Sequence, residues 1–543
     1  MIRALRGRAR PGVRPYRAHI APSPGSQPGL YCLTRYLGFS LLPQLGSKRL
    51  YAAVAACAVV VYLGALWNRF ALDDVPIVVL NPLVAQPSGV WRAFAAPYWS
   101  PDFGGHMYRP LVIASFALDH LVDGAVWYHA VNLLWHAGAA VAVAALARRL
   151  MDPAGALVAG LLFAVHPVHV EAVANVVGRA ELMAAVFSVL TVYAAVAGKP
   201  VVWSAAAFAL GLLCKENAAV APALVVWAWM VGLERPERRR IVSLLTSWVV
   251  VGAAYGIIRT LVRHPFGGDT AIAPMFLGQS WLTVRLTAVA ALADVARVLV
   301  FPLTLRVDYS PNERTVVTSP LDLRVATGLA CLLLWGGLLL LAWRRGRKLE
   351  AFGLGWIGVS FLPVANLLYP AGFYLAERTL YLPSAGLVLA GTAALARMPR
   401  GRLAVVALCV LAGVRSARRV PVWRDDNAVT TSILDDSPAS YGGPVRMAGV
   451  YLDRHEPAKA LAAARLASEI IDRDPWVYTI GAVAALAVGN HVAADSLFVG
   501  LERFCAGPCA AGYYRYEAVQ ARAHGYPATA DSLLARAGRL RPP

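Results

Sequence analysis

Charge is scarce in this sequence. Of its 543 residues, only 15% are Asp, Glu, Lys or Arg, against about a quarter in a soluble globular chain. Apolar residues take their place: 58% of the chain is hydrophobic, gathered into runs long enough to cross a bilayer. An ordinary soluble domain is excluded. Acids are scarcer than bases, with 31 Asp and Glu against 51 Lys and Arg, a formal net charge of +20. That excess forms no nucleic-acid-binding stripe, because the arginines stand in short clusters between apolar runs, as in cytoplasmic loops. No nucleic-acid partner is expected. The seven cysteines show no metal-ligand spacing, and four of them (Cys57, Cys214, Cys331, Cys409) lie within apolar runs. Cys505 and Cys509 are read as free thiols, with pairing open to them only in an oxidising compartment.

Residues 1–49 hold nine Lys and Arg and no acid, and no cleavable signal pattern follows them. They read as a basic, disordered cytoplasmic tail that leaves the N-terminus of the first span inside. The fold class expected beyond is all-α: a polytopic membrane domain over 50–415 with about eleven spans, then a short helical-repeat solenoid. Large outer loops are expected at 67–126 and 263–322. The second holds an apolar stretch, 283–304, whose Arg285, Asp294 and Arg297 mark it as interfacial or re-entrant rather than crossing, since a crossing would put the Arg344–Lys348 cluster outside. Residues 416–440 read as a linker. From 441 to 543 an internal repeat appears: Ala458/Leu461, Ala494/Leu497 and Ala530/Leu533 recur at a period of 36. Gly489 and Gly525 precede the second and third leucines by eight residues, with Asp453 at the first equivalent. The period is close to that of tetratricopeptide repeats, which stack into a concave, polypeptide-binding surface.

The candidate chemistry lies at the outer membrane edge. Asp73 and Asp74 follow the first apolar run directly, and ionisable groups at a membrane boundary mark sites when they are not merely solvated. His129, Asn132 and His136 share one helical face and read as an interior polar stripe. His166, His169 and Glu171 flank Pro167, which breaks the third span; they could hold a divalent cation, a hydroxyl or a diphosphate-like group. Arg179 continues this polar content. Lys215 is suited to a lipid phosphate as a point charge, and Arg378, beside Glu377, as a planar fork. Arg109 lies in the first outer loop. Together these groups fit a carboxylate acting as general base on an acceptor hydroxyl, with cations stabilising a departing lipid phosphate. One displacement would invert the anomeric carbon.

The ordered set Leu72-Asp73-Asp74, Tyr108-Arg109-Pro110-Leu111, Tyr128-His129 through His136, His166-Pro167-Val168-His169-Val170-Glu171-Ala172-Val173, Gly178-Arg179-Ala180-Glu181-Leu182, Lys215-Glu216 and Ala376 through Ser384 resembles the transmembrane and tetratricopeptide-repeat O-mannosyltransferases, members of the GT-C glycosyltransferases. The resemblance covers about 50–543. It implies a polyprenyl- or dolichyl-phosphate sugar as donor, mannose in the family's best-known members, and Ser/Thr of an exported polypeptide as acceptor. It also implies that Asp73 and Asp74 are the catalytic motif, with Asp73 the preferred base. The repeat array is short, which leaves a lipid or surface polysaccharide as alternative acceptor, and a non-catalytic membrane-anchored scaffold as the third reading. The Ala-, Gly- and Arg-rich composition fits a GC-rich bacterial source, hence an inner-membrane protein with its site and repeats on the periplasmic side.

Overall fold

A computed structural model of the chain describes residues 46–99, 107–262, 272–505 and 507–540. Most of the basic tail expected over 1–49 lies outside them. Among the described residues every regular element is helical, as the composition predicts. The first part of the chain runs through α1 (Ser47–Tyr62), α2 (Pro110–Asp119), α3 (Ala125–Leu150), α4 (Pro153–Val165), α5 (Arg179–Val196), α6 (Val201–Cys214), α7 (Ala221–Met230) and α8 (Arg238–Leu261). Then come α9 (Trp281–Val300), α10 (Leu323–Arg344), α11 (Lys348–Phe361), α12 (Tyr381–Leu395) and α13 (Gly401–Arg419). Five stretches are long and apolar enough to cross a bilayer alone: Ser47–Trp67, Ala125–Leu150, Val176–Val196, Arg238–Leu261 and Leu323–Arg344. The bent pair Pro153–Val165 and Pro167–Ala174 makes a sixth if counted as one broken span.

Burial separates these helices into layers. Of the apolar window in Val176–Val196, 78% is buried, against 11% in α8 and 17% in α10. The exposed faces of the last two carry Val249, Val250, Ile257, Leu333 and Leu334, apolar surface of an extent that needs lipid to cover it. Inside, small residues let helices approach closely, as membrane packing requires. Where α11 crosses α12, a Cβ on Gly353 would stand 2.4 Å from the Gly386 carbonyl oxygen, and one on Gly386 2.4 Å from that of Gly353.

Local sequence sets the breaks that shape the site. Asp152 caps α4 by accepting the Gly155 N–H at 2.7 Å, with Pro153 in the first turn. Pro167 ends the same helix, because a proline offers no N–H and crowds the preceding turn, and the chain bends by 47°. Short turns follow, up to Gly178. In the second large loop expected from the sequence, the polar groups of α9 are taken up by protein: Arg285 donates to the carbonyls of Asn366 and Leu368 at 2.7 and 2.8 Å. Asp294 accepts from Arg314 at 2.8 Å and from the Tyr374 hydroxyl at 3.0 Å.

The stretch 416–440 corrects the expectation of a linker. Helix α13 continues to Arg419, and Asp425 then caps α14 (Asp426–Asp436), accepting the Ala428 N–H at 2.9 Å. Val420, Trp423, Val429 and Ile433 of this stretch are buried in the same core as the membrane helices, a burial that its mixed polarity does not reveal. Three helix pairs follow: α15 (Gly442–Asp453) with α16 (Pro457–Ile470), α17 (Pro475–Ala487) with α18 (His491–Phe504), and α19 (Pro508–Ala523) with α20 (Pro527–Arg539).

Their register differs from the sequence reading in the first pair. Gly489 and Gly525 make left-handed turns at φ +74° and +84°, and the matching turn is made by His455 at φ +55°, two residues beyond Asp453. The buried positions accordingly align as Ala460, Ala494 and Ala530, and as Ala467, Leu501 and Ala537, spaced by 34 and then 36 residues. A histidine in a turn that favours glycine hides the correct offset. Cys505 and Cys509 form a disulfide, their Cα atoms 5.3 Å apart, which corrects the reading as free thiols; the turn between α18 and α19 brings them together.

Candidate active site

The acidic pair sits in a pinned loop. After α1 and a 3-10 turn to Trp67, residues 68–74 follow as a loop. Asn68 donates its side-chain amide to the carbonyls of Ala174 and Val420 at 3.3 and 3.4 Å. Arg69 N–H donates to the Arg424 carbonyl at 2.6 Å, and His129 Nε2 meets the Arg69 carbonyl at 3.1 Å. Leu72 is held at φ +54°, a left-handed conformation that is sterically costly for leucine.

The two acids have different surroundings. Asp74 is fully buried. Its Oδ2 accepts the N–H of Ala71 at 3.1 Å and of Val176 at 3.3 Å, and its Oδ1 that of Val177 at 2.8 Å. Burial pushes its carboxyl up to about 7, against the pull of those three N–H groups and with a smaller push from Asp73. Asp73 is partly exposed, and its carboxylate has no hydrogen-bond or ion-pair partner among the described residues. It lies within electrostatic reach of Tyr98 and of the Arg378 guanidinium.

Three ion pairs are electrostatically linked to Asp73 through Arg378. Arg378 pairs with Glu171, whose other oxygen accepts the Arg378 N–H at 2.8 Å. Lys215 pairs with Glu181. Arg109 donates from Nε and Nη2 to Glu216 at 3.2 and 3.0 Å, and its guanidinium lies 4.9 Å over the Tyr98 ring. Burial draws the Lys215 ammonium below its ordinary range, Glu181 opposing and Arg109 and Arg378 adding to the shift. Glu377 stands behind Arg378, accepting the Arg306 N–H at 2.6 Å and the Tyr309 hydroxyl at 2.8 Å. Its burial, with the nearby charge of Glu171, pushes it up to about 8.

The remaining expected residues form a layer beneath. Arg179 is fully buried; it pairs with Asp119 and donates to Asn132 Oδ1 and to the Tyr128 carbonyl, both at 2.8 Å. Asn132 in turn donates to the carbonyls of Asn175 and Val176 at 3.0 and 3.2 Å. This chain of contacts holds the corner whose N–H groups receive Asp74. His136 lies deeper, its Nδ1 2.8 Å from the Tyr381 hydroxyl and its Nε2 3.0 Å from the Ala164 carbonyl. His166, His169 and Glu171 do not converge on one point. His166 Nε2 meets the Leu299 carbonyl at 3.1 Å, His169 Nε2 meets Ser384 Oγ at 2.7 Å, and Glu171 is taken by Arg378. Among the described residues no group of three or more His, Cys, Asp or Glu gathers as metal ligands.

The structure thus brings Asp73, Arg109, Glu171, Lys215 and Arg378 to one mouth, with Asp74 and Glu377 behind them. His129, His136, His169 and Arg179, all fully buried, tie the helices together. Sequence reasoning missed Tyr98 as a wall of the site, and Asp426, whose Oδ1 accepts the Leu72 N–H at 2.8 Å. Nothing local marks Asp426, since its partner lies 354 residues away.

Fold and site together define an integral membrane protein of all-α architecture, in which, among the described residues, the Asp73 carboxylate has no hydrogen-bond or ion-pair partner and lies within electrostatic reach of Arg378. Comparison with curated proteins narrows the class. The chain is 27% identical over 381 residues to Protein O-mannosyl-transferase TMTC3 of Mus musculus, covering 62% of this chain and 40% of that one. It is 28% identical over 478 residues to Protein O-mannosyl-transferase TMTC4 of Homo sapiens, covering 75% and 64%. Over 320 residues it is 34% identical to Protein O-mannosyl-transferase Tmtc2 of Drosophila melanogaster, covering 54% and 33%. The chain is therefore a homologue of proteins that carry the O-mannosyltransferase name, as its motifs imply, and it spans between a third and two thirds of their length. No family model and no solved structure matches it.

Proposed function

We propose that the chain is an inverting membrane glycosyltransferase that moves a sugar, mannose by the names of its relatives, from a polyprenyl-phosphate carrier to Ser/Thr hydroxyls of exported polypeptides. One observation carries the reading. Of the carboxylates at the mouth, Asp73 alone is unpaired among the described residues, while Glu171, Glu181 and Glu216 are each taken by a cation. A free carboxylate facing a guanidinium is arranged to accept a proton where a phosphate departs.

In the reaction, Asp73 accepts the proton of the acceptor hydroxyl as its oxygen bonds the anomeric carbon. The bond from that carbon to the phosphate oxygen breaks with its electron pair, and Arg378 and Lys215 meet the charge that develops on the lipid phosphate. Attack opposite the leaving group inverts the anomeric configuration. Asp74 holds the loop rather than the proton. Residues 50–415 serve as the membrane domain, and the helix pairs over 441–543 receive the acceptor chain. The Cys505–Cys509 disulfide supports an extracytoplasmic placement of the pairs.

The test is transfer by the purified full chain, reconstituted in liposomes with radiolabelled polyprenyl-phosphate mannose and a Ser/Thr-rich peptide. Label in the peptide, lost on Asp73→Asn, supports the reading. Label in lipid or polysaccharide only, with exported proteins of a deletion strain keeping their O-linked hexose, would replace the acceptor. No transfer to any acceptor would leave the scaffold reading.

A further inference from the structure

The loop of the acidic pair is held from the far end of the chain. Three of its tethers reach a single stretch, 420–426: Asn68 to the Val420 carbonyl, Arg69 N–H to the Arg424 carbonyl, and Leu72 N–H to Asp426 Oδ1. The third differs in that its acceptor is a side chain, and it falls at the one left-handed residue of the loop. Among the described residues, the Leu72 N–H has no other acceptor. Asp426 is free for this task because Asp425, one residue earlier, caps α14. Asp426 itself is exposed and makes no ion pair among the described residues.

We propose that Asp426 is a positioning residue for the base. Its carboxylate accepts the Leu72 N–H, keeps Leu72 in the left-handed conformation, and so aims Asp73, the next residue, out of the loop toward Arg378. A backbone flip at Leu72 would turn the peptide plane that leads into Asp73 and swing its carboxylate away from the mouth. Asp74 would be restrained still by its bonds to Val176 and Val177, so the displacement falls on Asp73. The helix that supplies the acceptor, α14, leads directly into the helix pairs, so the base is completed only when that C-terminal part is docked. The inference deepens the proposed transferase reading and rests on it for its kinetic consequence, but not for the structural one.

Two variants of the full chain test it, Asp426→Ala and Asp426→Asn. Asparagine keeps an acceptor oxygen at the same place and alanine removes it. Because Asp426 is exposed and does not cap its helix, both are expected to melt within a few degrees of the parent. Hydrogen exchange read on peptides covering 68–75 should accelerate about tenfold or more in Asp426→Ala and stay near the parent in Asp426→Asn, with peptides from α3 and α5 unchanged in both. Transfer should show kcat lowered about 10- to 100-fold in Asp426→Ala, with the donor KM within about twofold, and should be largely restored in Asp426→Asn. Unchanged exchange at 68–75 in Asp426→Ala overturns the proposal, whatever the activity does. Equal losses in the alanine and asparagine variants also overturn it, since they would assign the effect to charge. Accelerated exchange in a protein that transfers no sugar even as the parent would sustain the tether and sink the transferase reading instead.

Discussion

Replacing Asp73 with asparagine and Asp74 with alanine should damage the protein in two different ways. Asp73 accepts no side-chain hydrogen bond and is partly exposed, so Asp73→Asn strands nothing; its stability should stay within about 1 kcal/mol of the parent. Transfer should fall by about 10²- to 10⁴-fold, the usual contribution of a general base. Asp74 is fully buried and receives three backbone N–H groups. Alanine strands all three, and each buried donor left without an acceptor costs about 1–3 kcal/mol. The summed loss is therefore about 3–9 kcal/mol, less whatever water or local movement recovers. The assay is thermal unfolding in detergent followed by tryptophan emission, run beside the liposome transfer assay. Asp73→Asn should melt like the parent and fail to transfer, and Asp74→Ala should melt early. If Asp74→Ala melts with the parent, the assignment of Asp74 as the loop's anchor is wrong; if Asp73→Asn transfers normally, the proposed chemistry is.

Arg378→Gln removes the guanidinium within electrostatic reach of Asp73 and should lower kcat about 10²- to 10³-fold; because it also leaves the buried Glu171 without its cation, the thermal melt should fall as well. The buried acids give a pH dependence with a definite sign. Asp74 and Glu377 are raised to about 7 and about 8; above about pH 4 the unfolded chain has released protons that the folded one keeps, so stability falls as pH rises from about 4 to about 8. Melting temperature measured across that window should decline, and Asp74→Asn, which cannot ionise, should flatten its lower part. Arg179→Met leaves Asp119 buried without its cation and should cost about 3–5 kcal/mol, whereas Arg179→Met combined with Asp119→Leu should recover much of the loss in the same melt. Thiol-specific labelling of the native chain should leave Cys505 and Cys509 unmodified until a reductant is added.

Much of the architecture is written in local pattern. The scarcity of charge and the length of the apolar runs make the chain helical and apolar, and Pro153, Pro167 and the prolines that open α16, α17, α19 and α20 mark helix ends. Asp73 and Asp74 stand out in the sequence as a candidate site because acids at a membrane edge need a reason. Their division of labour is not legible there, since adjacent identical residues differ only in what reaches them. The same limit explains the offset in the first helix pair, where His455 makes a turn that glycine makes elsewhere, and the misread linker, whose Val420 and Trp423 look ordinary until the core closes on them.

Composition and periodicity by themselves determined that this chain is helical, embedded in lipid, and followed by paired helices, because hydrophobic burial and backbone hydrogen bonding act over a few turns. Only the tertiary structure decided which acid is free, which cation faces it, and that Asp426 holds the loop between them. Those outcomes depend on contacts across more than a hundred residues of chain, where desolvation and hydrogen bonding are settled by what arrives from elsewhere.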